Sequence, residues 1–173
     1  DGDDLARHDL GVERGAPSGH EATLDGRRGG QAYGGGVDAL ARARQRGMRV
    51  CAQLSLGRTG ESHAGMLATT KAMARRRLGG VKLHLLHILS GTELGAAYQR
   101  GEISVLNQES YVTLACDVLE CLHPATVIQR LTGDGPRDRL LAPLWSLKKW
   151  EVLNAIDAEM ARRNTRQGER CRR

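Results

Sequence analysis

The chain has 173 residues, 40% of them hydrophobic, and a formal net charge of +6, which fits one globular domain and excludes a wholly disordered protein. The sequence contains no apolar run of the roughly 18 residues that a membrane span needs and no recognisable signal peptide, so we expect neither membrane insertion nor secretion. The four cysteines show neither the paired spacing of a zinc site nor a dense disulfide framework, which favours free, buried thiols in a reducing cytoplasm.

The first 36 residues are rich in glycine and carry weak patterns. A short strand is predicted around Leu10–Glu13, and the glycines between residues 29 and 36 predict a loop. From residue 37 onward, predicted helices and strands alternate with short connections, which is typical of parallel β/α units. The elements predicted in this part are helix Val37–Arg46, strand Met48–Leu56, helix Ser62–Arg77 and strand Val81–Leu89.

The predicted strand Val81–Leu89, with the sequence VKLHLLHIL, is the only run apolar enough to be a fully buried strand. Side chains alternate along a strand, so Lys82 and His84 are expected on one face and His87 on the other. Two polar side chains on one face of a central strand indicate that this face borders the lumen of a barrel rather than an apolar layer covered by helices. The alternative is that Lys82 and His84 are ordinary buried polar residues satisfied by their neighbours.

Beyond this strand the pattern predicts two capped helices, a strand, a polar loop and a last helix. Thr92 is expected to cap the helix Glu93–Arg100, and Asn107 the helix Gln108–Cys121. The last three predicted elements are strand Thr126–Leu131, loop Gly133–Asp138 and a final helix capped by Ser146.

Functional residues of parallel β/α proteins gather where strands end, and four predicted segments lie at such ends. They are Glu13–Gly15, Gly57–Glu61, His87–Gly91 and Thr132–Asp138, and each could equally be an ordinary turn. An enzyme that used His84, His87 and Asp134 directly would need these side chains within hydrogen-bond reach of one another. The alternation of the strand counts against such an enzyme, because it sends the two histidines to opposite faces.

The C-terminal residues Ala161–Arg173 form a basic tail, with six arginines against the single acid Glu169 and therefore a net charge of +5. A tail of this kind can bind nucleic-acid phosphates, because each neutralised phosphate releases counterions. The alternative is a solvated helix end whose arginines complement the helix dipole.

Four stretches of the chain together resemble one known family. They are VKLHLLHILSGTELGAAYQRGEISVLNQESYV, VIQRLTGDGPRDRLLAPLWSLKKWEVLNAIDAEMARRNTRQG, RGMRVCAQLSLGRTGES and, more loosely, DLGVERGAPS. They resemble the radical S-adenosylmethionine (radical SAM) proteins, in an uncharacterised branch related to the catalytic subunit of the elongator complex. The resemblance covers most of residues 9–168.

The resemblance implies an α/β fold that is part of a (β/α)6 partial TIM-like barrel, with a helical C-terminal extension. Residues 1–36 would be loop-rich, residues 37–125 the second half of the barrel, and residues 126–173 the last strand, loop and helix with the basic tail. In the family a 4Fe-4S cluster, held by a CxxxCxxC loop, cleaves S-adenosylmethionine reductively to a 5′-deoxyadenosyl radical. This sequence has no such motif, so we expect an inactive fragment that needs a missing N-terminal half.

Carried over by position, the resemblance implies that five residues contact S-adenosylmethionine: Glu13 near the ribose, Ser55 and Gly57 near the adenine, Glu61 after the glycine turn, and His87. No metal ligand and no catalytic residue is assigned. The basic tail suggests RNA as the substrate of the parent enzyme. It also supports an alternative function, a non-catalytic nucleic-acid-binding module that uses the arginine-rich tail.

Overall fold

The computed structural model describes residues 13–14, 21–24, 39–43, 45–76 and 78–171, with side chains from residue 39 onward. Several parts of the sequence prediction lie outside these residues: the strand positions before Glu13, Gly15, the glycine loop at residues 29–36, the start of the helix predicted from Val37, Arg77, and the last two arginines of the basic tail. Among the described residues, no helix is both long enough and apolar enough to cross a bilayer.

A five-stranded sheet forms the centre of the described structure, in the order β1-β2-β3-β4-β6. Strands β2, β3, β4 and β6 are parallel to one another, and β1 is antiparallel to β2. A second sheet pairs β5 with β7 in the antiparallel sense. The prediction of a mixed α/β fold with a parallel sheet is therefore confirmed. The strands are β1 Glu13–Arg14, β2 Glu21–Leu24, β3 Arg49–Leu56, β4 Gly80–Leu85, β5 Ile88–Leu89, β6 Val127–Arg130 and β7 Leu140–Ala142.

The helices begin close to where the sequence places them. They are α1 at residues 39–43, α2 His63–Ala74, α3 Glu93–Gln99, α4 Gln108–Cys121 and α5 Lys149–Arg162, with a 3-10 turn at Leu144–Leu147. Two predicted caps are confirmed. The Thr92 hydroxyl accepts a hydrogen bond from the Gly95 N–H at 3.0 Å, and the side-chain oxygen Oδ1 of Asn107 accepts one from the Ser110 N–H at 2.8 Å.

The predicted cap at Ser146 is wrong. Ser146 lies inside the 3-10 turn, and its hydroxyl donates to the Pro143 carbonyl at 2.8 Å. Helix α5 begins at Lys149 and has no side-chain cap. Its start is later than predicted because the 3-10 turn precedes it, and this turn ends with the hydrogen bond from the Lys148 N–H to the Trp145 carbonyl.

One face of the sheet supplies the hydrophobic core, and helices α2 and α4 cover it. From β3 and β4 this face presents Val50, Ala52, Leu54, Leu56, Val81, Leu83 and Leu85, each at most 7% exposed. The core continues through the buried stripe of α4 to Val152 and Ile156 of α5. Burial of this much aliphatic surface drives folding, and Tyr111 is the one aromatic side chain among the described residues of the buried cluster.

The predicted strand Val81–Leu89 is two strands in the structure. Strand β4 ends at Leu85, the Leu86 N–H still donates to the Leu56 carbonyl at 3.2 Å, and Ile88–Leu89 then joins β7 in the second sheet. The single-strand prediction is wrong because residues on both sides of the break are apolar, so the sequence does not mark it. The residues before the break pair with β3 and those after it pair with β7, and each side is buried by its own sheet.

Candidate functional site

The sheet face opposite the core is polar, and β3 and β4 supply most of it. Gln53 is paired with Lys82 across the two strands, and Ser55 with His84. All four side chains are partly exposed, in contrast to their buried neighbours along each strand. The two strands thus present a polar face of the kind that the sequence predicted for Lys82 and His84.

A bulge in the β4–β6 pairing adds Gln129 and Arg130 to this polar face. Val81 pairs with Ile128, whereas Lys82 pairs with Arg130, so Gln129 is an extra residue in the register. The Cys51 thiol donates to the side-chain oxygen Oε1 of Gln129 at 3.3 Å, and Arg130 contacts His84. Two consecutive residues of β6 therefore contact the same face, which strict alternation would forbid.

His84 and Arg130 form the most specific polar contact of this face. The Arg130 Nη1 and His84 Nε2 atoms are 3.1 Å apart. A guanidinium group only donates hydrogen bonds, so Nε2 is the acceptor in this contact. The Nδ1 edge of the ring is turned toward Gly133, where an added Cβ would lie 3.2 Å from Nδ1.

His84 and His87 meet under the loop Gly133–Gly135, and the expectation that they face opposite ways is wrong. A Cβ added at Gly133 would lie 3.1 Å from His87 Cε1 as well as close to His84, and one at Gly135 would lie 3.0 Å from His87 Cδ2. The reason is that β4 ends at Leu85, so the alternation does not extend to His87. On its other side, His87 Nε2 lies 3.2 Å from the buried Ser146 hydroxyl.

The predicted trio of His84, His87 and Asp134 is brought together only in part. Asp134 is exposed, and its carboxylate pairs with the Lys149 ammonium at 3.4 Å. The pair of histidines therefore sits beneath the glycine backbone of this loop, while the Asp134 carboxylate pairs at the protein surface.

Ser55 and Gly57 lie at the carboxyl end of β3, beside the end of β4 that leads to His87. Gly57 has φ +74, and an added Cβ would lie 2.8 Å from Leu106 Cδ1, so both the turn and the packing there require glycine. Glu61 follows this turn, and its N–H donates to the Arg58 carbonyl at 3.1 Å. The ends of β3, β4 and β6 thus lie along one edge of the sheet, as the sequence predicted.

Glu13 lies apart from these strand ends. It belongs to β1 at the outer edge of the sheet and pairs with Thr23 of β2. Because β1 runs antiparallel to β2, its carboxyl end points away from the edge where β3 and β4 end. The expectation that Glu13 and Arg14 follow a parallel strand and converge with the other segments is wrong.

Sequence reasoning missed Arg130 and the contact that Ser146 makes with His87. Gly133 was part of the candidate segment Thr132–Asp138, whereas no sequence pattern indicates the bulge that brings in Arg130. Ser146 was assigned to a helix cap, and its contact with His87 depends on the pairing of β5 with β7, which joins parts of the chain about fifty residues apart.

The described residues do not fit an iron–sulfur cluster. No three His, Cys, Asp or Glu side chains among them form a group that could hold a metal. None of the four cysteines forms a disulfide bond, as predicted; Cys51, Cys116 and Cys121 are buried, whereas Cys171 is partly exposed. Burial raises the pKa of the Cys116 thiol to about 11, which disfavours the thiolate that a metal requires.

The arginines of the basic tail that the structure describes are paired within the chain. Arg163 Nη1 lies 2.7 Å from Asp117 Oδ1, and Arg170 Nε lies 2.7 Å from Glu120 Oε2, so α4 holds both arginines. Although burial opposes it, the hydrogen bonds that Arg163 donates to Glu159 and Asp117 raise its pKa above the usual value. Arg162 pairs with Glu159 and Arg166 with Glu169, but both side chains stay mostly exposed, at 72% and 87%.

Residues 78–162 match the protein-family model described as the Radical_SAM C-terminal domain. These residues are therefore related to the C-terminal domain of radical SAM proteins. The matched region contains β4, both histidines, the glycine loop and the paired helices α4 and α5. The fold is similar to that of an archaeal Elp3 from Methanocaldococcus infernus with residues 1–46 deleted, with a TM-score of 0.59 and 17% identity over 82% of this chain and 33% of that one. This likeness shows the fold.

Curated relatives match a longer part of this chain. YtqA of Bacillus subtilis is 41% identical over 132 residues, which cover 76% of this chain and 41% of YtqA. MJ0486 of Methanocaldococcus jannaschii is 32% identical over 164 residues, covering 94% of this chain and 51% of the relative. YhcC of Escherichia coli is 29% identical over 150 residues, covering 87% and 48%. The chain therefore spans about half the length of the curated relatives it matches.

Proposed function

We propose that this chain forms the S-adenosylmethionine-binding second half of a radical SAM enzyme with a partial (β/α)6 barrel. The observation that carries the proposal is the polar sheet face whose three parallel strands end along one edge, within and beside the matched C-terminal domain. The core-facing side of the same strands is sealed by helices, so the polar face is the one that a barrel would turn toward its lumen.

The proposed S-adenosylmethionine contacts are four of those implied by position: Ser55 and Gly57 near the adenine, and Glu61 and His87 at the following turns. Glu13 is not among them, because it lies on the outer strand β1, apart from these strand ends. Ser55 and His87 are partly exposed polar groups at the sheet edge, which suits a ligand with polar ring and sugar atoms. The neighbouring pair of His84 and Arg130 would position His87 through the shared contact at Gly133.

S-adenosylmethionine, together with a 4Fe-4S cluster, would supply a 5′-deoxyadenosyl radical in the complete enzyme. The described part of this chain offers no place for the cluster, so the proposal assigns cluster binding to another polypeptide segment. The role proposed for this chain is to bind the nucleoside portion and to exclude water from the strand edge.

A hybrid protein tests the proposal. The part of YtqA that lies outside the matched 132 residues is joined to this chain, reconstituted anaerobically with iron and sulfide, and assayed for 5′-deoxyadenosine. We expect activity in the hybrid and at least a tenfold loss in His87→Ala, with His123→Ala as the matched control outside the strand edge. Equal activity in both variants would reject the role of His87. A stoichiometric cluster with turnover in the 173-residue chain alone would reject the division of roles.

A second proposal, a nucleic-acid-binding role for the basic tail, is favoured by the exposure of Arg162 and Arg166. RNA is the proposed partner, either as the substrate of the complete enzyme or as the ligand of a non-catalytic module. Deleting the whole tail would also remove Arg163, which holds α4 to α5, so the sharper variant is the double change Arg162→Ala and Arg166→Ala. We expect weaker RNA binding and a shallower salt dependence in this variant; unchanged values for both would reject the role.

A further inference from the structure

A cavity of about 660 Å³ lies between helix α2 and the C-terminal segment, away from the strand edge. The segment is held in place by two backbone hydrogen bonds, from the Gly168 N–H to the Leu119 carbonyl at 3.1 Å and from the Arg170 N–H to the Glu120 carbonyl at 2.8 Å. The cavity volume falls in the range of about 300–1,000 Å³ that is usual for small-molecule sites.

The charges around this cavity leave two cations without a partner among the described residues. Its lining includes Lys71, Arg75 and Arg170 against the single acid Glu169. Glu169 pairs with Arg166 at 3.3 Å, and Arg170 pairs with Glu120. Neither Lys71 nor Arg75 forms an ion pair with any described residue, so the α2 side of the cavity presents an uncompensated charge of +2.

The remaining lining is mainly apolar, with Leu67 and Ala74 from α2 and Cys121 from the end of α4. Burial raises the pKa of the Cys121 thiol, while the charges of Lys71 and Arg170 act in the opposite direction. The field of these cations therefore reaches the apolar side of the cavity. A ligand that fits must combine an anionic group with a flat or apolar part.

We propose that this cavity binds an organic phosphate of nucleotide size, with the phosphate between Lys71 and Arg75 and the base against Leu67 and Cys121. Lysine and arginine donate charge-assisted hydrogen bonds to phosphate oxygens, and apolar side chains accept the face of a base. The ligand is either a free mononucleotide or a nucleotide within a phosphodiester chain. This site is separate from the S-adenosylmethionine contacts. Arg166 is linked to it only through its ion pair with the lining residue Glu169.

Isothermal titration calorimetry on the full 173-residue chain tests the proposal with three probes: inorganic phosphate, AMP and a 5′-phosphorylated penta-adenylate. We expect saturable binding of AMP or of the oligonucleotide, at least tenfold tighter than that of inorganic phosphate. Binding of AMP identifies a free nucleotide as the source, and binding of the oligonucleotide alone identifies a phosphodiester chain.

The variant Lys71→Ala/Arg75→Ala should weaken this binding at least tenfold, whereas the charge-matched control Arg42→Ala/Arg49→Ala should leave it within twofold. All four side chains are exposed, so both variants should keep the wild-type circular dichroism spectrum. Equal weakening by both variants would show that net charge alone is responsible and would overturn the site. So would millimolar affinity for every probe.

Alkylation of Cys171 gives a second readout, because this partly exposed thiol lines the same cavity. A saturating probe should slow its reaction with iodoacetamide, measured by mass spectrometry, and this protection should disappear in Lys71→Ala/Arg75→Ala. Protection that persists in the double variant would place the ligand elsewhere and overturn the proposal.

Discussion

The two faces of the parallel sheet are built for different purposes. On the core face, Leu54 and Leu83 are at most 4% exposed and pack under helices α2 and α4. On the opposite face, Ser55 and His84 stay partly exposed although they are the next residues along the same strands. Adjacent positions of one strand thus contribute to stability on one face and to the polar site on the other. The comparison predicts that substitutions on the core face lower the free energy of unfolding strongly and that those on the polar face lower it little.

Leu83→Ala should give the largest loss of stability. Leu83 is fully buried in the centre of β4, and deleting such a side chain removes its transfer free energy and leaves a cavity, at a cost of about 2–5 kcal/mol. Urea denaturation measures the change. The control Val127→Ala removes a side chain that is 51% exposed at the start of β6, and it should change the free energy of unfolding by less than about 0.5 kcal/mol. Equal effects would mean that the two positions are equally packed.

The sequence predicted the core face well, because periodic aliphatic residues and local caps determine it. Met48–Leu56, the caps Thr92 and Asn107, and the extent of α4 all follow from patterns within about fifteen residues. The end of β4 could not be predicted in this way, since Leu86 and Ile88 are as apolar as the strand before them. Its position depends on β7, which lies more than fifty residues further on.

The polar face was predicted less completely, for a related reason. Lys82 and His84 follow from alternation within one strand, whereas Arg130 reaches this face only through a bulge in β6. His87 joins His84 only because the strand has already ended. The ion pairs of Arg163 and Arg170 likewise depend on how α5 and the C-terminal segment pack on α4, which no local pattern encodes.

Gly133→Ala should disturb the polar face with a smaller loss of stability. The new Cβ would approach both histidine rings within 3.2 Å, but these partly exposed rings can shift. We therefore expect the free energy of unfolding to fall by about 1 kcal/mol, the low end for overpacking. The histidine ring signals in NMR spectra should move for both His84 and His87.

Gly135→Ala sharpens this test, because the atoms nearest to its Cβ would belong to His87 and Leu140 rather than to His84. The His87 signal should move in both variants, and the His84 signal only in Gly133→Ala. Unchanged His84 signals in Gly133→Ala would contradict the shared contact beneath the loop.

The ion pairs of helix α5 should make the stability of the protein depend on pH in the acid range. Hydrogen bonds from Arg162 and Arg163 lower the pKa of Glu159 from 4.5 to about 2. A carboxyl group with a lowered pKa in the folded state stabilises the protein above its unfolded pKa, and this contribution is lost as the pH falls from about 4.5 to 2. Unfolding measured across this interval should show a steeper loss in the wild type than in Glu159→Gln. Parallel pH profiles would contradict the assignment to Glu159.

Lys82→Ala should have the smallest effect on stability, although Lys82 precedes Leu83 in the same strand. Its side chain is partly exposed on the polar face and forms no ion pair with a described residue, so the substitution resembles a surface change, within about 0.5 kcal/mol. Urea denaturation beside Leu83→Ala measures the contrast within one strand. A loss as large as that of Leu83→Ala would show that the polar face is packed as tightly as the core, and the lumen-like role proposed for it would fail. A change near zero would leave Lys82 available to contact a ligand at this face.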